Sequence, residues 1–134
     1  MNDIITIDFL NNHDFSKPIP FSRTKCMDIK YERYKKKIAK MGITNKEHIL
    51  SNIICNNDFV IEKNQFPYNI DNTIYHYIYW VHPNFEKRHT NNVIFENINK
   101  FIDDKFDGYW CWENHDSVKS VPEIKHYQII FMKC

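Results

Sequence analysis

The chain has 134 residues, 43% of them hydrophobic and 26% charged, which is enough to bury one core as a single folded domain. Basic and acidic residues nearly balance, 18 against 17, so the formal net charge of +1 excludes a chain-wide basic footprint for nucleic acid and excludes a charged tail. Only two glycines occur, Gly42 and Gly108. A dinucleotide fingerprint or a Walker loop needs several, because backbone must approach phosphate where no side chain fits.

Residues 1–24 read as an extended, irregular arm laid over the core and anchored by Phe9, Phe15 and Phe21, with Pro18 and Pro20 bracketing Ile19. A single domain then runs over residues 25–134. Its first helix is predicted at about 26–41, where Tyr31, Tyr34, Ile38 and Met41 form one apolar stripe and Gly42 supplies the stop. Residues 17–40 hold nine Lys or Arg against two acids. Beside a tyrosine stripe committed to the core, that run reads first as a solvated helix face and only second as a phosphate-contacting surface.

Thr44 with Glu47 three residues later predicts a capping box opening a second helix, with Ile49, Leu50, Ile53 and Ile54 inward. Phe59 to Ile61 is a short strand or a packed loop. The clearest strand is Thr73–Val81, TIYHYIYWV, whose aromatic and β-branched residues on both faces suit the middle of a sheet. A third helix, capped by Asn91 or Asn92, reaches about Lys105 with Ile94, Ile98, Phe101 and Ile102 inward. Phe106 to Glu113 leads into a strand with Trp110 and Trp112 on one face, Ser117 to Pro122 turn, and residues 124–132 form the last strand. Together these predict an α+β fold, a small mixed or antiparallel sheet of about four strands packed with about three helices.

The four cysteines, Cys26, Cys55, Cys111 and Cys134, form no CxxC pair and read as free thiols in a reducing compartment. The opening MNDIITIDFL lacks a basic region followed by an apolar run, and no stretch approaches the roughly 20 apolar residues of a membrane span. A cytoplasmic protein without membrane contact is expected.

Three segments, FPYNIDNTIYHYIYWV at residues 66–81, WENHDSVKSVPEIKHYQIIF at 112–131 and MGITNKEHIL at 41–50, together resemble a mainly fungal family called N-acetylglucosamine-induced protein 1-like, a domain of unknown function. The first is similar to its "WPYGI…IxHLVVW" segment. The second is similar to its "FKNW…LxSVxxxEHFHVML" ending, and the third to its "YGI-TNxxxL" feature. Two positions depart: the family's HxH is His126-Tyr127-Gln128 here, and its Trp before Pro-Tyr is Phe66. An HxH metal site or paired-histidine mechanism is therefore not expected of this chain. The high Asn and Ile content would suit a gene of a large DNA virus, placing the protein in host cytoplasm.

His76 and His126 lead the candidates for chemistry, and both coincide with motif positions of the resemblance. Each lies in a strand among bulky apolar residues, which depresses an imidazole pKa and suits general-base work; the competing reading has each imidazole satisfied by main chain. If the two strands are neighbours, the rings could meet. A ligand platform is expected around them, with Asp71, Asn114, Lys119 and Ser120 at the sheet ends, Trp80 and Trp112 as flat faces, and Arg23 or Lys119 for a phosphate. Cys111 with His115 forms no compact ligand motif, so neither metal nor cofactor is expected. The expected function is binding of a small polar metabolite, a phosphosugar or nucleotide-sugar, in a His76/His126 pocket, with enzymatic activity left open. The alternatives are a non-enzymatic protein-interaction module and weak nucleic-acid binding through the basic helix at 23–40.

Overall fold

A computed structural model describes residues 4–19, 23–114 and 121–134, and in it the predicted aromatic strand runs through the middle of a sheet. Strands β1 (Phe59–Lys63), β2 (Ile74–Val81), β3 (Phe106–Trp112) and β4 (His126–Lys133) pair antiparallel in the order β1-β2-β4-β3. The two inner strands are those with apolar residues on both faces, as burial on both sides demands.

Alternation along the strands makes two unlike faces. Tyr79, Val81, Tyr127, Ile129 and Phe131 build an aliphatic and aromatic core on one side, beneath helix α4 (Asn91–Ile102), which buries Ile94 and Ile98 there. Thr90 rather than Asn91 or Asn92 caps α4, accepting the Val93 N–H at 3.4 Å. The asparagines sit one and two residues inside the helix, past the position from which a side chain can reach an orphan N–H.

On the other side lie His76, Ile78, Trp80, His126, Gln128 and Ile130, a mixture of apolar and polar groups. Two separate pieces of chain cover it. Helix α3 (Asn45–Ile49) opens with the predicted capping box, Thr44 Oγ1 accepting the Glu47 N–H at 3.1 Å and Glu47 accepting the Thr44 N–H at 3.2 Å. It runs on as one π-helical turn, Leu50–Ile54. The wider turn brings Ile49 and Ile54, five residues apart, onto one buried face that an α-helix would have split. Replacing the cap, Thr44→Ala, is expected to remove about 1 kcal/mol of stability, read as a lower urea midpoint with unchanged slope.

The second covering piece is the N-terminal segment, where Ile5 forms a parallel bridge to Ile70. The sequence predicts an irregular arm there, but Thr6 caps a short helix, α1 (Ile7–Asn12), that buries Leu10 against Ile74, Trp112 and Ile130. Six residues are too few for helical periodicity to show in the sequence. With α1 there are four α-helices among the described residues, one more than the pattern predicts.

Helix α2 (Lys25–Lys40) lies outermost. Thr24 caps it, Gly42 follows it with φ of +76°, and Ile38 is its one buried residue. Tyr31 and Tyr34 face inward half-buried, while Lys25, Lys30, Arg33, Lys36, Lys37 and Lys40 are exposed to solvent.

Candidate functional site

His76 stands at the centre of β2 on the polar face, 1% exposed. Its Nδ1 accepts the Tyr68 backbone N–H at 3.1 Å, with the Asn64 side-chain amide 3.5 Å away. Its Nε2 lies 2.6 Å from Gln128 Oε1. An N–H already points at Nδ1 and a carbonyl oxygen at Nε2, so one neutral tautomer, with the proton on Nε2, satisfies both ends. Desolvation, reinforced by the charge of Arg23 and opposed by the Gln128 bond, pushes this imidazole down from 6.5 to about 4. The same geometry removes it from general-base work, because the lone pair a substrate proton would need is occupied.

What His76 holds is a loop. The Asn64 N–H donates to the His76 carbonyl at 2.9 Å, and Asn64 Oδ1 accepts the Phe66 N–H at 2.8 Å. The Tyr68 ring packs over the imidazole with centroids 4.5 Å apart. Behind Tyr68, its hydroxyl accepts from the Asn114 amide at 2.7 Å, and Asn114 Oδ1 accepts the Trp112 indole N–H at 3.0 Å. The loop between β1 and β2 is thereby tied to both inner strands and to the end of β3.

His126 does not meet His76. In the register His76 pairs with Ile130 and His126 with Trp80, so the rings stand four residues apart along the ladder, about 13 Å at roughly 3.3 Å per residue. His126 donates from Nδ1 to the Ile124 carbonyl at 2.8 Å and packs against the Trp80 indole at 4.7 Å. The Trp80 Nε1–H donates to Glu62 Oε1 at 3.1 Å.

Glu62 and Trp80 open onto a cleft between α2, α3 and the β1–β2 loop. Its walls include Arg23, Tyr31, Tyr34, Asn64, Gln65 and Phe66, and its cavity volume is about 60 Å³. Tyr34 and Phe66 pack 4.9 Å apart, and Tyr31 and Phe66 5.1 Å apart. Arg23 stacks on Tyr31 and donates from Nε to the Phe66 carbonyl at 2.6 Å, so it fastens the rim. Burial holds the Glu62 carboxyl above its ordinary pKa against the Trp80 bond, which lowers it.

Of the residues proposed from sequence, the structure therefore brings Arg23 and Trp80 to the cleft and sets His76, His126, Trp112 and Asn114 behind it. Asp71 lies elsewhere, its Oδ1 accepting from the Thr73 N–H and hydroxyl in the turn before β2. Lys119, Ser120 and His115 fall outside the described residues. Glu62, Asn64, Tyr31, Tyr34 and Phe66 were not foreseen as a group. The signal lay in β1 alternation: with Phe59 and Ile61 apolar, Glu62 falls on the other face, which β2 shows to be the polar one. Among the described residues no three of His, Cys, Asp and Glu come together as metal ligands, and no helix is long and apolar enough to cross a membrane. Cys111 is half-buried, and desolvation pushes its thiol up to about 12.

Residues 15–132 match the family described as Protein of unknown function (DUF3605). This chain belongs to that family. No curated protein matches it. Among solved structures it is similar to one titled "Crystal Structure of HTC1", with a TM-score of 0.57 and 16% identity over 85% of this chain and 77% of that one. At that identity the likeness shows a shared fold. As a DUF3605 domain, the protein has Phe66 and Trp80 of the matched stretch in the cleft and His76 and Gln128 in the network behind it.

Proposed function

We propose that this DUF3605 domain is a binding module for a small polar metabolite, held by one end in the Glu62/Trp80 cleft. One observation carries the reading. A half-buried carboxylate, the Asn64 and Gln65 amides and four aromatic rings converge on an opening braced from behind by a fully satisfied polar network. In this reading His76 and His126 are positioning residues: His76 fixes the loop bearing Asn64, Gln65 and Phe66, and His126 backs the Trp80 indole. A cavity of about 60 Å³ is well below the ~300 Å³ of an ordinary small-molecule pocket, so most of a phosphosugar or nucleotide-sugar would lie over the open rim. The likeness to N-acetylglucosamine-induced protein 1-like sequences belongs to the same proposal, since its motifs supply the cleft floor. A protein-docking face has less support, because the exposed large apolar residues Ile4, Ile29, Met41 and Phe95 are divided among the N-terminal stretch, α2 with its C-cap, and α4.

The test is an NMR titration with glucose, glucose 6-phosphate and UDP-glucose. The expected result is saturable shifts, with Kd on the order of 1 mM, at the Trp80 indole N–H and the Asn64 side-chain amide, weakened severalfold by Gln65→Ala. Shifts that saturate elsewhere, or none for any of the three, overturn the sugar-type metabolite reading.

A further inference from the structure

The cleft holds a carboxylate that no described residue pairs as an ion. Glu62 projects from β1 onto the polar face with one oxygen engaged by the Trp80 indole N–H. No other hydrogen bond from a described residue reaches its carboxylate, and none of the ion pairs among the described residues involves it. A half-buried carboxylate is ordinarily paired, since removing its hydration is costly unless a cation or several donors replace the lost water. The described residues supply one donor. Arg23, the cation on the same rim, is turned to the Phe66 carbonyl and the Tyr31 face.

The walls add a second kind of selectivity. Tyr31, Tyr34, Phe66 and Trp80 present aromatic surface to the cavity, and π-faces attract cations by their quadrupole while offering neutral hydroxyls little. Tyr31 already shows this affinity, with Arg23 and Lys35 over its ring at 4.4 and 4.9 Å. The cavity has room for a head group of a few heavy atoms, and the Asn64 and Gln65 carbonyls can accept N–H groups that the carboxylate leaves over.

We propose that the group seated in this cleft is an alkylammonium head, its positive charge set against Glu62 and its carbon atoms against Tyr34, Phe66 and Trp80. This rests on the reading of the cleft as a ligand seat and narrows it, from a polar metabolite to one bearing an amine. A free amine and a lysine side chain carry the same head, and the open rim admits both.

Propylammonium chloride, 1-propanol and sodium propionate, matched in size and different in charge, make the test by NMR titration at pH 7. Propylammonium is expected to shift the Trp80 indole N–H saturably and to bind at least tenfold more tightly than propanol, with no binding of propionate. Glu62→Gln, which keeps an acceptor for the Trp80 N–H, is expected to remove that tenfold preference while leaving propanol unaffected. Should this variant not fold, acidification of the wild type serves instead: protonating Glu62 is expected to weaken propylammonium and spare propanol. A capped lysine, Ac-Lys-NHMe, that binds more tightly than propylammonium assigns the head to a protein ligand, and equal or weaker binding assigns it to a free amine. Equal affinities for propylammonium and propanol, or a preference that survives both loss and protonation of Glu62, overturn the assignment. If the sugars then still bind at Trp80, the ligand seat stands and only its cationic character falls; if neither set binds, the seat falls too.

Discussion

His76→Ala is expected to remove about 3–5 kcal/mol of stability at pH 7, by leaving the Gln128 carbonyl and the Tyr68 N–H without partners inside a closed face. The wild type is expected to show its counterpart in acid. Its folded imidazole titrates at about 4 against an ordinary 6.5, so between those values the unfolded chain takes up a proton that the folded chain refuses. Stability is therefore complete above pH 6.5 and falls as pH drops toward 4, by about 3 kcal/mol from this group alone. Glu62 acts in the opposite sense, because its raised folded pKa favours folding as it takes up a proton, and it offsets part of the loss at the acidic end. Urea unfolding of wild type and His76→Ala at pH 7 and pH 4.5 separates the two: the variant is expected to lose the acid limb that His76 creates. An acid limb of the same size in both proteins would mean that other groups set the pH dependence.

The largest expected effect on the opposite face comes from Phe131→Ala. Phe131 is fully buried on central strand β4 and touches four aromatic neighbours, stacked on Phe106 at 4.4 Å and edge-on to Tyr77 at 5.1 Å, with Phe101 at 5.7 Å and Tyr109 at 6.2 Å. Loss of that ring leaves a cavity between the sheet and α4 and is expected to cost about 3–5 kcal/mol, much of the 5–15 kcal/mol a domain ordinarily has. Phe95→Ala on the outer side of α4, where the ring is 44% exposed, is expected to cost less than about 1 kcal/mol. Thermal unfolding of the two variants side by side measures the contrast. Equal shifts would show that burying the Phe131 ring contributes no more than the half-exposed Phe95 ring does.

The sheet was legible because its signals are dense. TIYHYIYWV and IKHYQIIFM have apolar residues at both odd and even positions, which only an inner strand tolerates, and the Thr44–Glu47 pair marked a helix start within one residue. The candidate site was less legible. His76 was visible as a buried histidine, yet its role depended on what lies across the ladder, and Gln128 is 52 positions away in sequence. That glutamine looked like the loss of a motif histidine and proved to be the acceptor that fixes the tautomer. Register, not strand order, keeps the two imidazoles apart: β2 and β4 are neighbours, but the antiparallel pairing sets His76 opposite Ile130 and His126 opposite Trp80. Glu62 was not singled out because the candidate strand was read only as far as Ile61, one residue short of it, whereas β1 runs to Lys63.

The order β1-β2-β4-β3 also bears on how the domain comes into being at the ribosome. The fourth strand to be synthesised lies between the second and third, so neither β2 nor β3 finds its main partner until residues beyond 126 have left the exit tunnel. Until then TIYHYIYWV has its β1 edge covered and its other edge open, with aromatic residues on both faces, the kind of segment that pairs with foreign strands and attracts chaperones. A nascent chain halted before residue 126 is thus expected to remain bound to a holdase and sensitive to protease, while release of β4, His126–Lys133, converts it abruptly to a resistant form.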